Sequence, residues 1–143
     1  MRTAVCLIAG SIMLTGCVTT EKSNQAEACG GGAPATALAS TNVQGSKTYM
    51  SGGESGTSYD LLLSLTSSGN RLDGNYSLKG RYASSGTARL YNGSYCENTI
   101  RFSVNPASNP NCRHDFVGRV GADGRIEGTF DACQGDGTWS AKL

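Results

Sequence analysis

The stretch FVGRVGADGRIEGTF, residues 116–130, carries the pattern that decides the fold. Apolar or small residues stand at every second position on both sides of GADG, residues 121–124. A period of two is typical of a strand with one buried face, and glycine with aspartate favours a tight turn. The stretch therefore predicts a β-hairpin. Its inward-facing residues are expected to be Phe116, Gly118, Val120, Ile126, Gly128 and Phe130.

The second half of this hairpin belongs to a repeat. RIEGTF at 125–130 resembles RLDGNY at 71–76 and, with one extra residue, RLYNGSY at 89–95. In the first two copies a glycine lies between an aliphatic and an aromatic residue on the inward face, where glycines mark sharp bends or the close approach of another backbone. We therefore interpret the repeat as scaffold. In the third copy the extra residue gives Leu90 and Tyr95 opposite parities, which a β-bulge between them would correct.

The repeat also carries charges on its outward face. Arg71 stands two positions before Asp73, and Arg125 two positions before Glu127, so the members of each pair share a face. Exposed alternating charges usually keep a strand face hydrated and discourage edge pairing. A surface that binds a charged partner is the alternative use of these pairs.

Alternation of the same kind occurs along the rest of the chain. The predicted inward residues are Tyr59, Leu61, Leu63 and Leu65; Leu72, Gly74, Tyr76 and Leu78; Ile100, Phe102 and Val104; and Trp139, Ala141 and Leu143. Weaker strands are predicted at 42–50 and 87–92. About seven or eight short strands predict an all-β domain over residues 41–143, a small antiparallel up-and-down barrel or a sandwich. The inward glycines favour the barrel, and the pattern is similar to the lipocalin and avidin class without any of its ligand-binding motifs.

The N-terminal residues predict export. Arg2 precedes an apolar run, residues 4–13, that is too short to remain as a membrane span. The run leads into LTGC at 14–17, which resembles the lipobox of bacterial lipoproteins, in which the cysteine is acylated and becomes the first residue of the mature chain. This resemblance implies a lipoprotein signal peptide at 1–16 and an anchor to the membrane through lipid on Cys17. An ordinary cleaved secretion signal is the alternative.

The residues after the lipobox bear on location. In the lipoprotein family an aspartate after the cysteine retains the protein in the inner membrane, so Val18 implies the outer membrane. Residues 17–40 are rich in small and polar residues and are predicted to form a disordered, flexible tether. The expected location is the bacterial outer membrane, facing the periplasm or the cell surface.

The cysteines agree with export. Cys6 leaves with the signal and Cys17 is acylated, so an even number remains in a compartment that permits disulfides. The remaining residues are Cys29, Cys96, Cys112 and Cys133. They include no C-x-x-C pair, a spacing that disfavours zinc, and no metal site is predicted.

Hairpin register predicts how these cysteines pair. If the turn is 121–124, opposite residues have numbers that sum to about 245, which places Cys112 across from Cys133. The apolar residues of both strands lie on one face only if the numbers of opposite residues have an even sum. A bulge or a frayed strand end near Cys133 must therefore absorb one residue. By elimination, Cys29 is expected to bond to Cys96.

The composition disfavours several functional classes. A net charge of +1 with 16% charged residues indicates no surface for nucleic acid. His114 is the only histidine, and Asp115 follows it directly. Neighbouring residues of a strand point to opposite faces, so this pair is not expected to act as a base and its orienting acid. Common catalytic and phosphate-binding motifs do not occur, so we expect neither an enzyme nor a cofactor.

Two functions remain in consideration. The first is a non-catalytic interaction or structural module of the outer membrane that contacts another envelope protein or a polymer. The alternative is a small binding barrel that sequesters a ligand or inhibits a hydrolase such as a lysozyme or protease. For this alternative the candidate is the binding loop NPASNPN, residues 105–111, although a plain connection is its simpler interpretation. The candidate residues in it are Asn105, Pro106, Ser108, Asn109 and Pro110.

Overall fold

The computed structural model describes residue 38 and residues 41–80 and 84–143. Within these residues the chain forms nine β-strands and no helix. The strands are β1 (Thr41–Tyr49), β2 (Ser58–Ser68), β3 (Arg71–Lys79), β4 (Ser84–Arg89), β5 (Tyr91–Cys96), β6 (Thr99–Val104), β7 (His114–Val120), β8 (Arg125–Ala132) and β9 (Gly135–Lys142).

The strands form one closed antiparallel sheet. Pairs of consecutive strands are hydrogen-bonded from β1 to β3 and from β5 to β9, and β1 also pairs with β9. Both β4 and β5 pair with β3, so together they fill one position in the wall. The result is an eight-stranded up-and-down barrel. The predicted fold class is confirmed, and of its two forms the barrel is the one observed.

The interruption between β4 and β5 lies in the third copy of the repeat. Pairing with β3 shifts by one residue between Arg89 and Ser94. Within this interval Asn92 has a φ of 51°. Because of the shift, Leu90 and Tyr95 are both buried despite their opposite parities. The bulge expected from the extra residue is thereby confirmed.

The barrel interior is filled by the residues that alternation predicted to face inward. Most are buried, whereas Tyr59, Val120 and Leu143 are partly buried and pack against the core. Aromatic rings occupy its centre: the centroids of Phe116 and Phe102 are 4.7 Å apart, and those of Phe116 and Trp139 are 5.7 Å apart. The middle of the barrel is therefore a packed core.

The glycines of the repeat allow neighbouring strands to approach. A β-carbon on Gly74 would overlap the carbonyl oxygen of Ser64, and one on Gly128 would overlap that of Val117. The indole of Trp139 packs over Gly128 and donates from Nε1 to the same Val117 oxygen at 3.0 Å. Close approach of another backbone was the scaffold interpretation of this repeat, and the contacts agree with it.

The hairpin of β7 and β8 ends in a disulfide. Val120 faces Ile126, the register that keeps the apolar residues on one face. Pairing extends to Ala132, so Cys112 and Cys133 lie just beyond the paired residues, where the frayed end absorbs the odd residue. These cysteines are bonded, with their α-carbons 5.5 Å apart, which confirms the predicted pair.

The other cysteine predictions concern the N-terminal part of the chain. Cys96 is buried and disulfide-bonded. Its expected partner Cys29 lies outside the described residues, as do Cys17, the predicted signal peptide at 1–16 and nearly all of the predicted tether at 17–40. Within the described part of the chain, no helix is long and apolar enough to cross a bilayer.

The two ends of the barrel differ. At one end, the turn end, short turns join the strands at residues 69–70, 97–98 and 121–124. At the other, the loop end, lie the longer segments 50–57 and 105–113 and the disulfide. Leu38 is held at the turn end, where its N–H donates to Ser67 Oγ at 2.6 Å and its carbonyl accepts from Ser67 N at 3.1 Å. The chain therefore enters the barrel opposite the loop end.

Candidate functional site

Lys47 is a charged residue that its strand directs into the barrel. The period of two places it on the same face of β1 as Val43 and Tyr49, which are both buried. The Lys47 side chain is 0% exposed. Burying an ammonium group costs several kcal/mol unless surrounding groups compensate, so its neighbours need to be accounted for.

Those neighbours are hydrogen-bond acceptors and aromatic faces. Lys47 Nζ donates to Tyr49 Oη at 2.9 Å and lies 2.9 Å from His114 Nδ1. It also lies 4.1 Å from the ring centroid of Phe130, within the range of a cation–π contact. None of the ion pairs between described residues includes Lys47. The charge is thus solvated by neutral groups and not matched by a carboxylate.

Burial shifts both basic groups toward their neutral forms. Desolvation lowers the pKa of Lys47 to about 7, although the carboxylate of Glu54 opposes the shift. Desolvation, and then the charge of Lys47, lower the pKa of His114 to about 4. His114 is therefore neutral at neutral pH. When the ammonium form of Lys47 donates to Nδ1, the ring proton resides on Nε2.

The hydrogen bonds continue toward the loop end. Tyr49 Oη donates to Gln134 Oε1 at 3.1 Å, next to the disulfide. Three buried polar atoms have no hydrogen-bond partner among the described residues: His114 Nε2, Tyr76 Oη and, in the 69–70 turn at the opposite end, Asn70 Oδ1. Burial raises the pKa of Tyr76, so its hydroxyl stays protonated and can donate. We call Lys47, Tyr49, His114 and Gln134 the buried polar cluster.

A cavity of about 150 Å³ opens at the loop end against this cluster. Its walls combine polar groups with aromatic and aliphatic surface. The lining residues are Tyr49, Glu54, Tyr59, Leu78, Pro106, Ser108, Asn109, His114 and Gln134. A cavity of this volume can hold a single-ring molecule. We call it the loop-end cavity.

The predicted binding loop covers one side of the loop-end cavity. Pro106, Ser108 and Asn109 line it. Asn105 and Pro110 instead brace the loop, since Asn105 Nδ2 donates to the carbonyl of Pro110 at 2.7 Å. The N–H of Asn109 also donates to the carbonyl of Pro106 at 2.9 Å. The loop is thus internally bonded, and the structure brings three of its five candidate residues to the cavity.

A carboxylate stands at the entrance. Tyr59 Oη donates to Glu54 Oε2 at 2.9 Å. The rings of Tyr59 and Tyr49 meet edge to face with centroids 6.2 Å apart. The entrance therefore presents two aromatic rings and one negative charge.

No role was expected for Lys47, and His114 was not expected to act as a base with Asp115. The signal for Lys47 was available, because it shares the parity of Val43 and Tyr49 in a strand that was predicted only weakly. Its meeting with His114 follows from closure of the barrel and was not visible in the sequence. His114 and Asp115 do point apart as expected: Asp115 accepts from Arg113 Nε at 2.8 Å, away from the cluster.

The paired charges of the repeat lie on the outer face of the barrel, away from the buried polar cluster. Arg71 and Asp73 are 2.8 Å apart, and Arg125 and Glu127 are 3.7 Å apart, all on the exposed outer face. Each pair offsets its own charge. In the described ranges, no group of three or more His, Cys, Asp or Glu residues could hold a metal ion.

Comparison of the chain with protein-family models, with curated proteins and with solved structures finds no match. Fold and site together define a class only: a small up-and-down β-barrel with a buried polar cluster beneath a cavity at its loop end.

Proposed function

We propose that the protein is a lipid-anchored, non-catalytic binding module of the bacterial outer membrane and that it binds a ligand at the loop end of its barrel. The observation that supports this is the buried polar cluster against the loop-end cavity. An apolar residue at position 47 would serve a structural barrel better, because replacing buried charge by apolar residues is often neutral or stabilising. Residues that reduce stability are common at sites of function.

The arrangement of the barrel suits a protein anchored at its N-terminus. Leu38 lies at the turn end, and the cavity opens at the opposite end. With lipid on Cys17 and a tether over 17–40, the anchor is attached at the end of the barrel opposite the cavity. A ligand or an envelope partner then reaches the cavity without obstruction by the bilayer.

An obstructed cavity tests the proposal. Ser108→Trp places a large ring at the cavity wall, while Ala122→Trp adds the same ring to an exposed turn at the other end of the barrel. Native mass spectrometry of protein purified from its own membrane identifies bound molecules, and pull-down from envelope extract identifies partners. We expect the parent and Ala122→Trp to retain a molecule or partner that Ser108→Trp loses. Equal retention by all three would place binding elsewhere and contradict the proposal.

Inhibition of a hydrolase is a second candidate, and the rigidity of the binding loop favours it. The loop exposes Ala107 and Ser108. The hydrogen bond from Asn105 braces it, and the disulfide from Cys112 to Cys133 holds the chain where the loop ends. Inhibitors bind tightly through such preorganised loops. Assays of lysozymes and envelope proteases with the parent, Ser108→Trp and Ala122→Trp decide this. An inhibitor should lose activity only with the Ser108 variant, and failure of the parent to inhibit any of them would exclude this function for the enzymes assayed.

A further inference from the structure

The interior at the loop end holds more hydrogen-bond donors than acceptors. Tyr49 Oη and His114 Nδ1 accept from Lys47, but the proton on His114 Nε2 and the hydroxyl of Tyr76 have no acceptor among the described residues. Lys47 also has no carboxylate partner in an ion pair with any of them. A ligand with acceptor atoms and a negative charge would accept from these donors and offset the charge of Lys47.

His114 both carries a donor without an acceptor among the described residues and lines the loop-end cavity. Its side chain is 2% exposed. Nδ1 faces Lys47, so Nε2 is the ring nitrogen left for a ligand. With its proton on Nε2, neutral His114 can donate a hydrogen bond from that nitrogen. The ammonium group of Lys47 at Nδ1 polarises the ring and strengthens this hydrogen bond to an anionic acceptor.

The other walls define the rest of the ligand. Rings of Tyr49 and Tyr59, together with Leu78 and Pro106, provide apolar surface for a ring or a short chain. Glu54 also lines the cavity and repels negative charge, so a dianion is disfavoured more strongly than a monoanion. The volume of about 150 Å³ limits the ligand to roughly the size of one aromatic ring.

We propose that the loop-end cavity binds a small monocarboxylate, with a carboxylate oxygen accepting from His114 Nε2 and the apolar part against Tyr49, Tyr59 and Leu78. Lys47 is a positioning residue that acts through His114: it orients the ring, keeps the proton on Nε2 and supplies the compensating charge. The inference rests on the proposed function, because it names the ligand class of the same site.

Binding of an anion has a proton-linked consequence. The groups that face Lys47 are Tyr49 on its own strand, His114 on β7, the Phe130 ring on β8 and, at longer range, Glu54 on the 50–57 segment. A ligand carboxylate adds negative charge to this set and favours the ammonium form of Lys47. At pH 8, above the pKa of about 7, binding should therefore take up protons.

The probe is benzoate, and benzamide is the neutral control of the same shape. Each is titrated into the full-length protein, without a histidine tag and with ¹⁵N-labelled histidine, while the Nε2 resonance of His114 is followed. His114 is the only histidine of the chain, so the signal is unambiguous. We expect benzoate to shift this resonance saturably, benzamide and sulfate to have little effect, and calorimetry at pH 8 in two buffers to show proton uptake.

Variants separate the roles of the two basic residues. His114→Phe removes the donor, and Lys47→Met removes the charge while retaining a long apolar chain. Each should weaken benzoate binding roughly tenfold or more, the loss expected for a hydrogen bond to a charged group. In Lys47→Met the proton uptake should also vanish. Arg119→Met, which removes an exposed cation near the turn end, should leave the affinity unchanged. Should His114→Phe fail to fold, Lys47→Met and the obstructing Ser108→Trp make the same test.

Three results would overturn the monocarboxylate assignment: no shift with benzoate, equal binding of benzamide or sulfate, or unchanged affinity in Lys47→Met. None of these would by itself refute the proposed function, since a ligand of another class that is lost in Ser108→Trp would still place binding at the loop end. If the parent retains no molecule or partner at the loop end and benzoate also fails to bind, both proposals fall.

Discussion

Lys47 is the residue at which stability and function conflict. Its ammonium group lies inside the barrel among neutral partners, with a pKa lowered mainly by desolvation. The hydrogen bonds to Tyr49 and His114 and the contact with Phe130 recover part of that desolvation cost, but no carboxylate in the described structure completes an ion pair. Two measurable consequences follow, one from replacing the residue and one from titrating it.

Replacement of Lys47 by methionine should stabilise the protein. Methionine fills a similar volume without a charge to desolvate, and we expect the free energy of unfolding at pH 7 to rise by about 1 kcal/mol or more. Thermal and urea denaturation measure this. Lys142→Met, on an exposed position of β9, is the matched control and should change little. A clear loss of stability in Lys47→Met would show that its hydrogen bonds outweigh its desolvation.

Titration of Lys47 should make the protein more stable as the pH rises from 7 toward 10. Its pKa is about 7 when folded and 10.5 as a free group, so the unfolded chain binds more protons in this window. The free energy of unfolding should therefore increase between pH 7 and pH 10, by at most about 1.4 kcal/mol per pH unit. Urea denaturation at pH 7, 8 and 9 measures the slope. If Lys47→Met shows the same slope, another group is responsible.

At the scale of the strands, the repeat segments give the barrel wall its tight spacing. The glycines of β3 and β8 let the neighbouring backbone approach, and the Trp139 indole covers the space at Gly128. In β4 and β5 the extra residue becomes a bulge, so both apolar residues of that copy still point inward. The same short pattern thus supports three parts of one wall.

Gly128→Val should destabilise the barrel. The new side chain would overlap the carbonyl oxygen of Val117 and crowd the Trp139 indole, so β8 would have to move from β7. We expect a loss of at least about 2 kcal/mol, and a similar loss for Gly74→Val. Thermal melts compare these variants with Thr129→Val, which places the same side chain on the exposed face of β8. Gly128→Val melting at the same temperature as Thr129→Val would mean that the strands are not closely packed there.

At the scale of the whole molecule, the barrel is polarised between its ends. The chain enters at the turn end through Leu38, whereas the cavity, the binding loop and the Cys112–Cys133 disulfide are at the loop end. This separation suits an anchored binding protein, because the anchor and the site do not compete for the same surface. It gives the proposed lipid at Cys17 a simple role, which is to hold the barrel at the membrane with its cavity exposed.

The anchor has a direct test. Cys17→Ser removes the thiol that the lipobox resemblance implies is acylated, so the variant should accumulate as an unprocessed precursor without lipid. Metabolic labelling with a radioactive fatty acid, followed by membrane fractionation, measures the outcome. Cys6→Ser, within the signal segment, is the matched control and should still take up label. Label on Cys17→Ser would contradict the lipoprotein assignment.

Features that depend on near neighbours along the chain were predictable from the sequence. Alternation set which residues of β2, β3 and β6 to β9 face inward, and turn chemistry set the β7–β8 hairpin and with it the Cys112–Cys133 bond. These features were predictable because parity and hairpin register are local. The extra residue in 89–95 was likewise sufficient to predict a bulge.

The closure of the barrel and the assembly of the candidate site depend on pairing between distant parts of the chain. Closure requires β1 to pair with β9 from the other end of the domain, and no local pattern contains that pairing. Lys47 and His114 are 67 positions apart and meet only because the closed wall directs both into one interior. The binding loop was identified by its prolines, but its value as a cavity wall depends on that same closure. Long-range pairing is a property of the whole chain, and for this reason the scaffold could be predicted from the sequence while the site could not.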